Sequence, residues 1–204
     1  MDKRYQIFIS STYKDLVKER RAVSEAIIEL ECFPAGMESF PASSQSQFDY
    51  IKKVIDSSDY YILIVGGKYG SLCNKSISYT EMEFNYAKEK GIPVLAFVKR
   101  DINHLPKSKT ESSAIKKKKL DEFRTFICTN HLVKMWDSVE ELKGAVISSL
   151  YKEFSDNPKK GWIRARESDK YEVPRIFFSS KEPENAQVGD IWIGNVVLDG
   201  GYEE

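Results

Sequence analysis

One acidic side chain lies on an otherwise apolar helix face in the segment 78–87. At about 100° per residue, Glu83 falls within a contiguous stripe formed by Tyr79, Met82, Tyr86 and Ala87. Glu81 falls on the opposite side. A carboxylate on an inward face is costly unless it is paired or used. Glu83 is therefore either a paired structural carboxylate or a catalytic group, and its helix begins just after a strand-ending loop, which favours catalysis.

A glycine-containing loop offers a second set of candidates. Gly66, Gly67, Lys68 and Tyr69 follow an apolar run over residues 60–65. The glycines would let the backbone approach a diphosphate, with Lys68 as counter-charge and Tyr69 stacked on a ring. The pattern is neither a Walker nor a Rossmann fingerprint, and a tight turn is the favoured explanation of the glycines.

Further candidates lie at the ends of two other predicted strands. Phe8, Ser10 and Ser11 end the first strand, where Phe8 is the one best explained as core. Glu38 ends the second strand, and by analogy with dinucleotide-binding folds an acid there could hold a ribose. The two histidines and three cysteines are widely spaced, so the sequence predicts neither a metal site nor a disulfide framework.

Strands and helices alternate along the first three quarters of the chain. Apolar runs predict strands over 5–9, 33–37, 60–65, 92–98 and 132–136, and helical spacing predicts helices over 15–30, 46–57, 79–90, 120–129 and 139–154. Thr12 and Asp15 resemble a capping box at the start of the first helix. Continuous apolar strands are typical of a parallel sheet covered on both faces. We therefore expect a flavodoxin-like, doubly wound α/β domain over residues 1–155 with a five-stranded parallel sheet.

The remaining residues, 156–204, differ in character. A linker-like stretch is followed by two short apolar runs, 175–178 and 190–193, which predict a β-hairpin appendage. The last 23 residues contain six acidic residues and no lysine or arginine. A lysine-rich stretch over 107–119 is best explained as a solvated loop before a helix, although docking against an acidic tail also stays open.

Composition narrows the function. The 204 residues carry 31 basic and 31 acidic side chains, so the formal net charge is zero. General nucleic-acid and membrane-surface binders need a basic excess, so neither partner is expected. No apolar segment has the length of a signal peptide or membrane span, and we expect a cytoplasmic protein.

Several motifs in order resemble a TIR-type domain and the related nucleoside deoxyribosyltransferases. Residues 7–11 are similar to the first TIR strand and its loop, and residues 57–65 resemble a helix-to-strand junction of both families. Ser78 followed by Glu83 resembles the serine and catalytic glutamate of TIR enzymes. More specifically, residues 4–98 resemble a TIR-like family of unknown function in which the motifs FISST, PAGME and SYTE recur. Such modules occur in larger immune-type proteins and as short bacterial proteins.

The resemblance implies cleavage of the nicotinamide–ribose bond of NAD. Nicotinamide in NAD is cationic and departs neutral, so one carboxylate suffices to stabilise or trap the oxocarbenium-like ribose. NAD would be a substrate, and no cofactor is expected. The implied site comprises Glu83 as the catalytic residue and, for binding, Phe8, Ser10, Ser11, Glu38, Gly66, Gly67, Lys68, Tyr69, Ser78 and Tyr79. Where TIR enzymes usually have tryptophan and cysteine between serine and glutamate, this chain has Tyr79, Thr80 and Glu81, so Glu81 is the register alternative.

Three functions stay open on the sequence. The first is an NAD hydrolase, or a producer of an ADP-ribose-derived signal in bacterial antiphage immunity. It would act as a homo-oligomer, with a downstream effector protein as a further candidate partner. The second is a non-catalytic self-association module. The third is base exchange like that of the deoxyribosyltransferases, in which Glu81 or Glu38 would serve as a second acid.

Overall fold

The computed structural model describes residues 3–36, 47–73, 77–164, 176–178, 184 and 191–193. They belong to two compact units, Met1–Ile163 and Arg164–Glu204. The first unit therefore extends beyond residue 155. Residues that follow the last helix of this unit pack on the rest of the unit. Gly161 N–H donates a 2.9 Å hydrogen bond to Asp59 Oδ1, and Arg4 forms an antiparallel bridge with Trp162.

The first unit contains a five-stranded parallel sheet flanked by five helices. Its strands are β1 (Gln6–Ser11), β2 (Phe33–Ala35), β3 (Tyr60–Val65), β6 (Val94–Lys99) and β7 (Val133–Trp136). Its helices are α1 (Val17–Glu29), α2 (Gln47–Asp56), α3 (Tyr79–Glu89), α4 (Ala114–Asn130) and α5 (Val139–Asp156). The strand order β2-β1-β3-β6-β7 is the flavodoxin-like order, so the predicted α/β fold with a five-stranded parallel sheet is confirmed.

Alternate residues of the strands build two cores, one on each face of the sheet. Ile7, Ile9 and Ile62 pack with α1 and α5 on one face. Phe8 and Tyr61 pack with α2, α3 and α4 on the other face. Tyr60–Val65 is buried at every position, which explains why this strand is a continuous apolar run in the sequence.

Two helix starts differ from the sequence prediction. Helix α1 begins at Val17 with Leu16 at its N-cap and no side-chain cap, so the predicted capping box of Thr12 and Asp15 is wrong. Helix α4 begins at Ala114, where the Ser113 hydroxyl accepts a hydrogen bond from Lys116 N–H. The lysine run 116–119 therefore lies in the first turns of a helix rather than in a loop.

Two small strand pairs lie outside the main sheet. Leu72–Cys73 (β4) pairs antiparallel with Ile77–Ser78 (β5) just before α3. In the second unit, Ile176–Phe178 (β8) and Ile191–Ile193 (β9) pair in parallel, with Ile176 opposite Ile191. Because the strands of a β-hairpin are antiparallel, the hairpin predicted from the sequence is wrong.

Candidate functional site

A cleft of about 360 Å³ opens where β1 and β3 end. Its walls come from the loop after β1, the loop after β3, the first turn of α3 and the segment before α4. Its lining residues include Ser11, Thr12, Asp15, Lys68, Glu83 and Lys116. Strands β1 and β3 are neighbours in the sheet. The strand order runs from β1 to β2 on one side and from β3 to β6 and β7 on the other, so it reverses between β1 and β3. In doubly wound sheets, ligands bind beyond the strand ends at this switch point.

Glu83 is the buried carboxylate of this cleft. Its side chain is 2% exposed, and its Oε2 accepts a 2.5 Å hydrogen bond from the Ser10 hydroxyl. Its Oε1 has no hydrogen-bond partner among the described residues. Burial raises the pKa of Glu83 from 4.5 to about 7, while the Ser10 hydrogen bond and the charge of Arg20 limit the rise. Glu83 therefore changes protonation near neutral pH.

The groups around Glu83 come from the end of β1, α1 and β3. The buried Arg20 guanidinium donates to the Ile9 carbonyl at 3.2 Å and to the Ser11 hydroxyl at 2.9 Å. These bonds fix the positive charge behind the strand end. Burial raises the pKa of the Tyr61 hydroxyl well above its usual range, and the charge of Glu83 adds to the rise. Tyr61 is thus a neutral neighbour of the carboxylate.

Glu81 lies in a different environment from Glu83. Its carboxylate accepts a short hydrogen bond from the Tyr69 hydroxyl, and it borders a separate recess beside Phe126. The cleft with Lys68 is lined by Glu83 and not by Glu81. Of the two glutamates between which the sequence register leaves a choice, Glu83 is the one placed at the strand-end cleft.

Ser78 and Tyr79 have distinct roles at the start of α3. The buried Ser78 hydroxyl is the N-cap and accepts a 3.1 Å hydrogen bond from Glu81 N–H. It therefore orients the helix that carries Glu83. Tyr79 lines the cleft, as does Thr80.

Four candidates from the sequence are used in packing. Phe8 is fully buried and stacks on Tyr61 with ring centroids 5.6 Å apart. Tyr69 is 3% exposed. A Cβ at Gly66 would lie 2.9 Å from Leu16 Cδ2, and one at Gly67 would lie 2.4 Å from the Lys109 carbonyl oxygen. At both glycines a neighbouring protein segment occupies the space beside the backbone, so close packing accounts for them.

Asp15 is a functional candidate that the sequence prediction missed. It lines the same cleft as Glu83, is 2% exposed, and neither of its carboxylate oxygens has a hydrogen-bond partner in the described part of the chain. Burial raises its pKa, and the neighbouring Thr12 hydroxyl and the charges of Lys68 and Lys109 reduce the rise. The local sequence does not identify Asp15 as a site residue, because its spacing from Thr12 is that of a helix-capping residue.

Basic groups surround the carboxylates. Lys14, Lys68 and Lys116 line the cleft, and Lys116 Nζ also donates to the Gly70 carbonyl at 3.0 Å. Lys109 Nζ lies 2.8 Å from Oε1 of the buried Glu19 and so is already paired. The cleft thus combines two buried carboxylates with several ammonium groups, an arrangement suited to a substrate that carries both phosphate and a developing positive charge.

Glu38 lies outside the described residues. Within the described ranges, His, Cys, Asp and Glu side chains form no group of three or more that could hold a metal ion. Across the same ranges, no helix combines the length and the apolar character needed to cross a bilayer.

The family is decided by a match over most of the chain. Residues 6–151 match the family described as Domain of unknown function (DUF4062). The chain belongs to this family. Ser10, Asp15, Lys68 and Glu83 all lie inside the matched range, so the cleft is part of the DUF4062 domain. No curated protein matches the chain.

Two solved structures have weak likeness to the chain. The TIR domains of the activated Roq1 resistosome, which directly recognizes the pathogen effector XopQ, align at 14% identity and a TM-score of 0.41 over 71% of this chain and 82% of theirs. Translation elongation factor SelB from Methanococcus maripaludis, in complex with the GTP analogue GPPNHP, aligns at 14% identity and a TM-score of 0.43 over 80% of this chain and 36% of its own. At these values neither likeness bears on the function of the DUF4062 domain.

Proposed function

We propose that this DUF4062 protein cleaves the N-glycosidic bond between nicotinamide and ribose in NAD or a related nucleotide. The observation that carries the proposal is the placement of Glu83 in a strand-end cleft, buried and with one oxygen unpartnered. A buried carboxylate without full compensation is costly, and such groups concentrate at functional sites.

The reaction needs one carboxylate and no external acid. The bond from ribose C1′ to the nicotinamide nitrogen breaks, and its electron pair neutralises the pyridinium ring. C1′ is left with positive charge, which ionised Glu83 would stabilise or trap as an ester. Attack by water then gives ADP-ribose, and attack by a second nucleophile of the substrate gives a cyclised product. NAD is the substrate, so no cofactor enters the reaction.

The charge of the substrate suits the protonation state of Glu83. At the pKa of about 7, half of the carboxyls are protonated at neutral pH. A bound pyridinium ring nearby favours the ionised form, because an opposite charge lowers the pKa of a carboxyl. Substrate binding would therefore generate the ionised carboxylate that bond cleavage requires.

The lysines of the cleft would hold the phosphates. Lys68 and Lys116 lie on the same cleft as Glu83 but come from other segments, the loop after β3 and the start of α4. Ammonium groups bind phosphate as point charges and need no glycine cradle. Under this assignment Lys68 and Lys116 bind the diphosphate, whereas the sequence predicted that the backbone of Gly66 and Gly67 would approach it.

A second candidate reaction is favoured by Asp15. A nucleoside whose base is neutral needs an acid to protonate the departing base as well as a carboxylate at C1′. Asp15 and Glu83 give the cleft two buried carboxyl groups with raised pKa values. This pair would suit base exchange or hydrolysis of a nucleoside or nucleoside monophosphate, and it replaces the pairing of Glu83 with Glu81 or Glu38 expected from the sequence.

Incubation with NAD tests the proposal. Purified protein, at low and high concentration to allow for a homo-oligomer, is incubated with NAD, and products are separated chromatographically. We expect free nicotinamide with ADP-ribose or a cyclised form. Release of base from nucleoside monophosphates with no loss of NAD would favour the second reaction. No release from either substrate at any concentration would contradict catalysis and leave a self-association module. A role in antiphage immunity follows from the family resemblance alone.

A further inference from the structure

Asp15 is the most unusual polar group in the cleft after Glu83. Its carboxylate is 2% exposed, and neither oxygen has a hydrogen-bond partner of good geometry among the described residues. The buried Thr12 hydroxyl, also without such a partner, is a donor close enough to limit the rise in the pKa of Asp15, and it could serve at most one of the two oxygens. Oδ2 lies 3.3 Å from the point where a Cβ of residue 66 would stand, so Gly66 permits this close placement. The cleavage of NAD proposed above gives Asp15 no role; only the second candidate reaction uses it.

Buried carboxylate oxygens require hydrogen-bond donors. An ionised carboxylate is acceptor-only, and leaving it buried without donors carries a large desolvation penalty. Lys68 and Lys109 lie near enough for their charges to act on Asp15, which favours the ionised form. A ligand that brings two O–H donors to the cleft would satisfy both oxygens and would favour the ionised form, which burial on its own disfavours.

We infer that Asp15 binds the vicinal diol of the substrate ribose through its two carboxylate oxygens. The cis hydroxyls of a ribose are two adjacent donors, and they match a two-oxygen acceptor. Lysine or arginine side chains would be poor partners for this diol, whereas a carboxylate accepts from both hydroxyls. The inference rests on the proposed function, since it concerns the same cleft and the same substrate.

The size of the cleft selects which ribose is bound. A volume of about 360 Å³ is near the lower end for small-molecule pockets, and a dinucleotide is larger than most such ligands. The cleft therefore holds one end of NAD. Because Glu83 must face the scissile bond and lines the same cleft, the enclosed sugar is the nicotinamide ribose. Asp15 then makes the site selective for ribose over 2′-deoxyribose.

Binding measurements in an inactive background test this inference. The Kd of NAD and of its analogue without the 2′-hydroxyl on the nicotinamide ribose is measured by calorimetry for Glu83→Gln and for Glu83→Gln/Asp15→Asn. Hydrogen bonds to charged groups are worth about 10- to 100-fold in affinity, so we expect Glu83→Gln to prefer NAD by about that factor. The double variant should lose most of this preference, because its affinity for NAD should fall by more than its affinity for the analogue, which can lose only the hydrogen bond to the 3′-hydroxyl. Asp15→Ser serves as a second variant if Asp15→Asn fails to fold.

A matched control uses another carboxylate of the cleft. Glu111 already accepts a 3.2 Å hydrogen bond from Tyr69 N–H, so it is not in need of ligand donors. Glu83→Gln/Glu111→Gln should therefore keep the preference for NAD. A preference lost equally in both double variants would point to general charge effects and would overturn the inference.

The outcomes separate the inference from the proposed function. Equal binding of NAD and the analogue by Glu83→Gln, or an equal loss of both on Asp15→Asn, would overturn the role of Asp15. An Asp15-dependent preference in a protein whose wild type releases no nicotinamide would overturn NAD cleavage and support the diol site. Failure of NAD to bind at all would overturn both.

Discussion

The Ser10 hydroxyl donates a 2.5 Å hydrogen bond to Glu83 Oε2 and so joins the end of β1 to the first turns of α3. The two residues are 73 positions apart in the sequence. This bond stabilises the ionised carboxylate, whereas burial destabilises it. These two opposing effects place the pKa of Glu83 at about 7. A charge on a bound substrate can therefore change the protonation state of Glu83 at neutral pH.

Replacing Ser10 with alanine should move the pH dependence of NAD cleavage upward. In the wild type, kcat/KM should rise with pH through about 7, because the reaction uses the ionised form of a group with that pKa. Loss of the Ser10 hydrogen bond removes support for the ionised form, so the midpoint should rise by about one pH unit. The measurement is nicotinamide release at low NAD from pH 5 to 9.

The control for this change is Ser58→Ala. Ser58 is also buried, but its hydroxyl donates to the Val54 carbonyl at the end of α2, away from the cleft. Its profile should keep the wild-type midpoint. A Ser10→Ala profile that is unchanged, or shifted to lower pH, would show that this hydrogen bond does not set the active charge state.

Glu83→Gln should stabilise the fold at alkaline pH. Below pH 4.5 the carboxyl is protonated in both the folded and unfolded chain, so its ionisation contributes nothing to stability. Between 4.5 and about 7 the unfolded chain ionises first, and the folded state loses stability as pH rises. Above pH 7 the penalty is constant at about 3 kcal/mol, and the neutral glutamine avoids it.

Denaturant unfolding of both proteins at pH 5 and pH 8 measures this effect. The free energy of unfolding of Glu83→Gln should exceed that of the wild type at pH 8, and the gap should narrow towards pH 5. A gap that does not depend on pH would mean that the pKa of Glu83 is not raised in the folded protein.

Gly67→Ala should disturb the segment that closes one side of the cleft. A Cβ there would lie 2.4 Å from the Lys109 carbonyl oxygen, a backbone atom that a rotamer change cannot move. The same segment carries Glu111, whose N–H donates to the Gly67 carbonyl at 2.9 Å. We expect a loss of about 1–3 kcal/mol in the free energy of unfolding, measured by denaturant titration.

Gly144→Ala provides the matched comparison. Gly144 lies within α5, and a Cβ there meets no atom within 4 Å. Alanine at such a helix position should stabilise by about 0.5–1 kcal/mol. Equal effects of the two substitutions would contradict the close packing of Gly67 against the 105–111 segment.

The sheet and Glu83 could be predicted because local periodicity determines both. The strand at 60–65 is apolar at every position since both of its faces are covered. The helical period places Glu83 and Ala87 on the inward face of α3 correctly, but the predicted stripe is rotated, because Thr80 and Phe84 are buried there while Tyr79, Met82 and Tyr86 are only half-buried. Those signals need only neighbouring residues. The flavodoxin-like order then follows from the alternation of strands and helices.

What the sequence could not provide depends on contacts between distant segments. Asp15 has the spacing of a helix cap, and it lines the cleft because the loops after β1 and β3 come together, where Gly66 leaves room for its carboxylate. Gly67 has the sequence setting of a phosphate loop, yet the 105–111 segment occupies the space beside it. Strand direction in the appendage is likewise set by pairing, which local patterns do not encode.

The central claim is that Glu83, and not Glu81, carries out bond cleavage. The most direct test compares initial rates of nicotinamide release from NAD for the wild type, Glu83→Gln and Glu81→Gln, each checked for folding by circular dichroism. We predict that Glu83→Gln loses at least about 100-fold in kcat, while Glu81→Gln keeps most of the activity because its carboxylate is paired with Tyr69 outside the cleft. Full turnover by Glu83→Gln together with loss in Glu81→Gln would contradict the account.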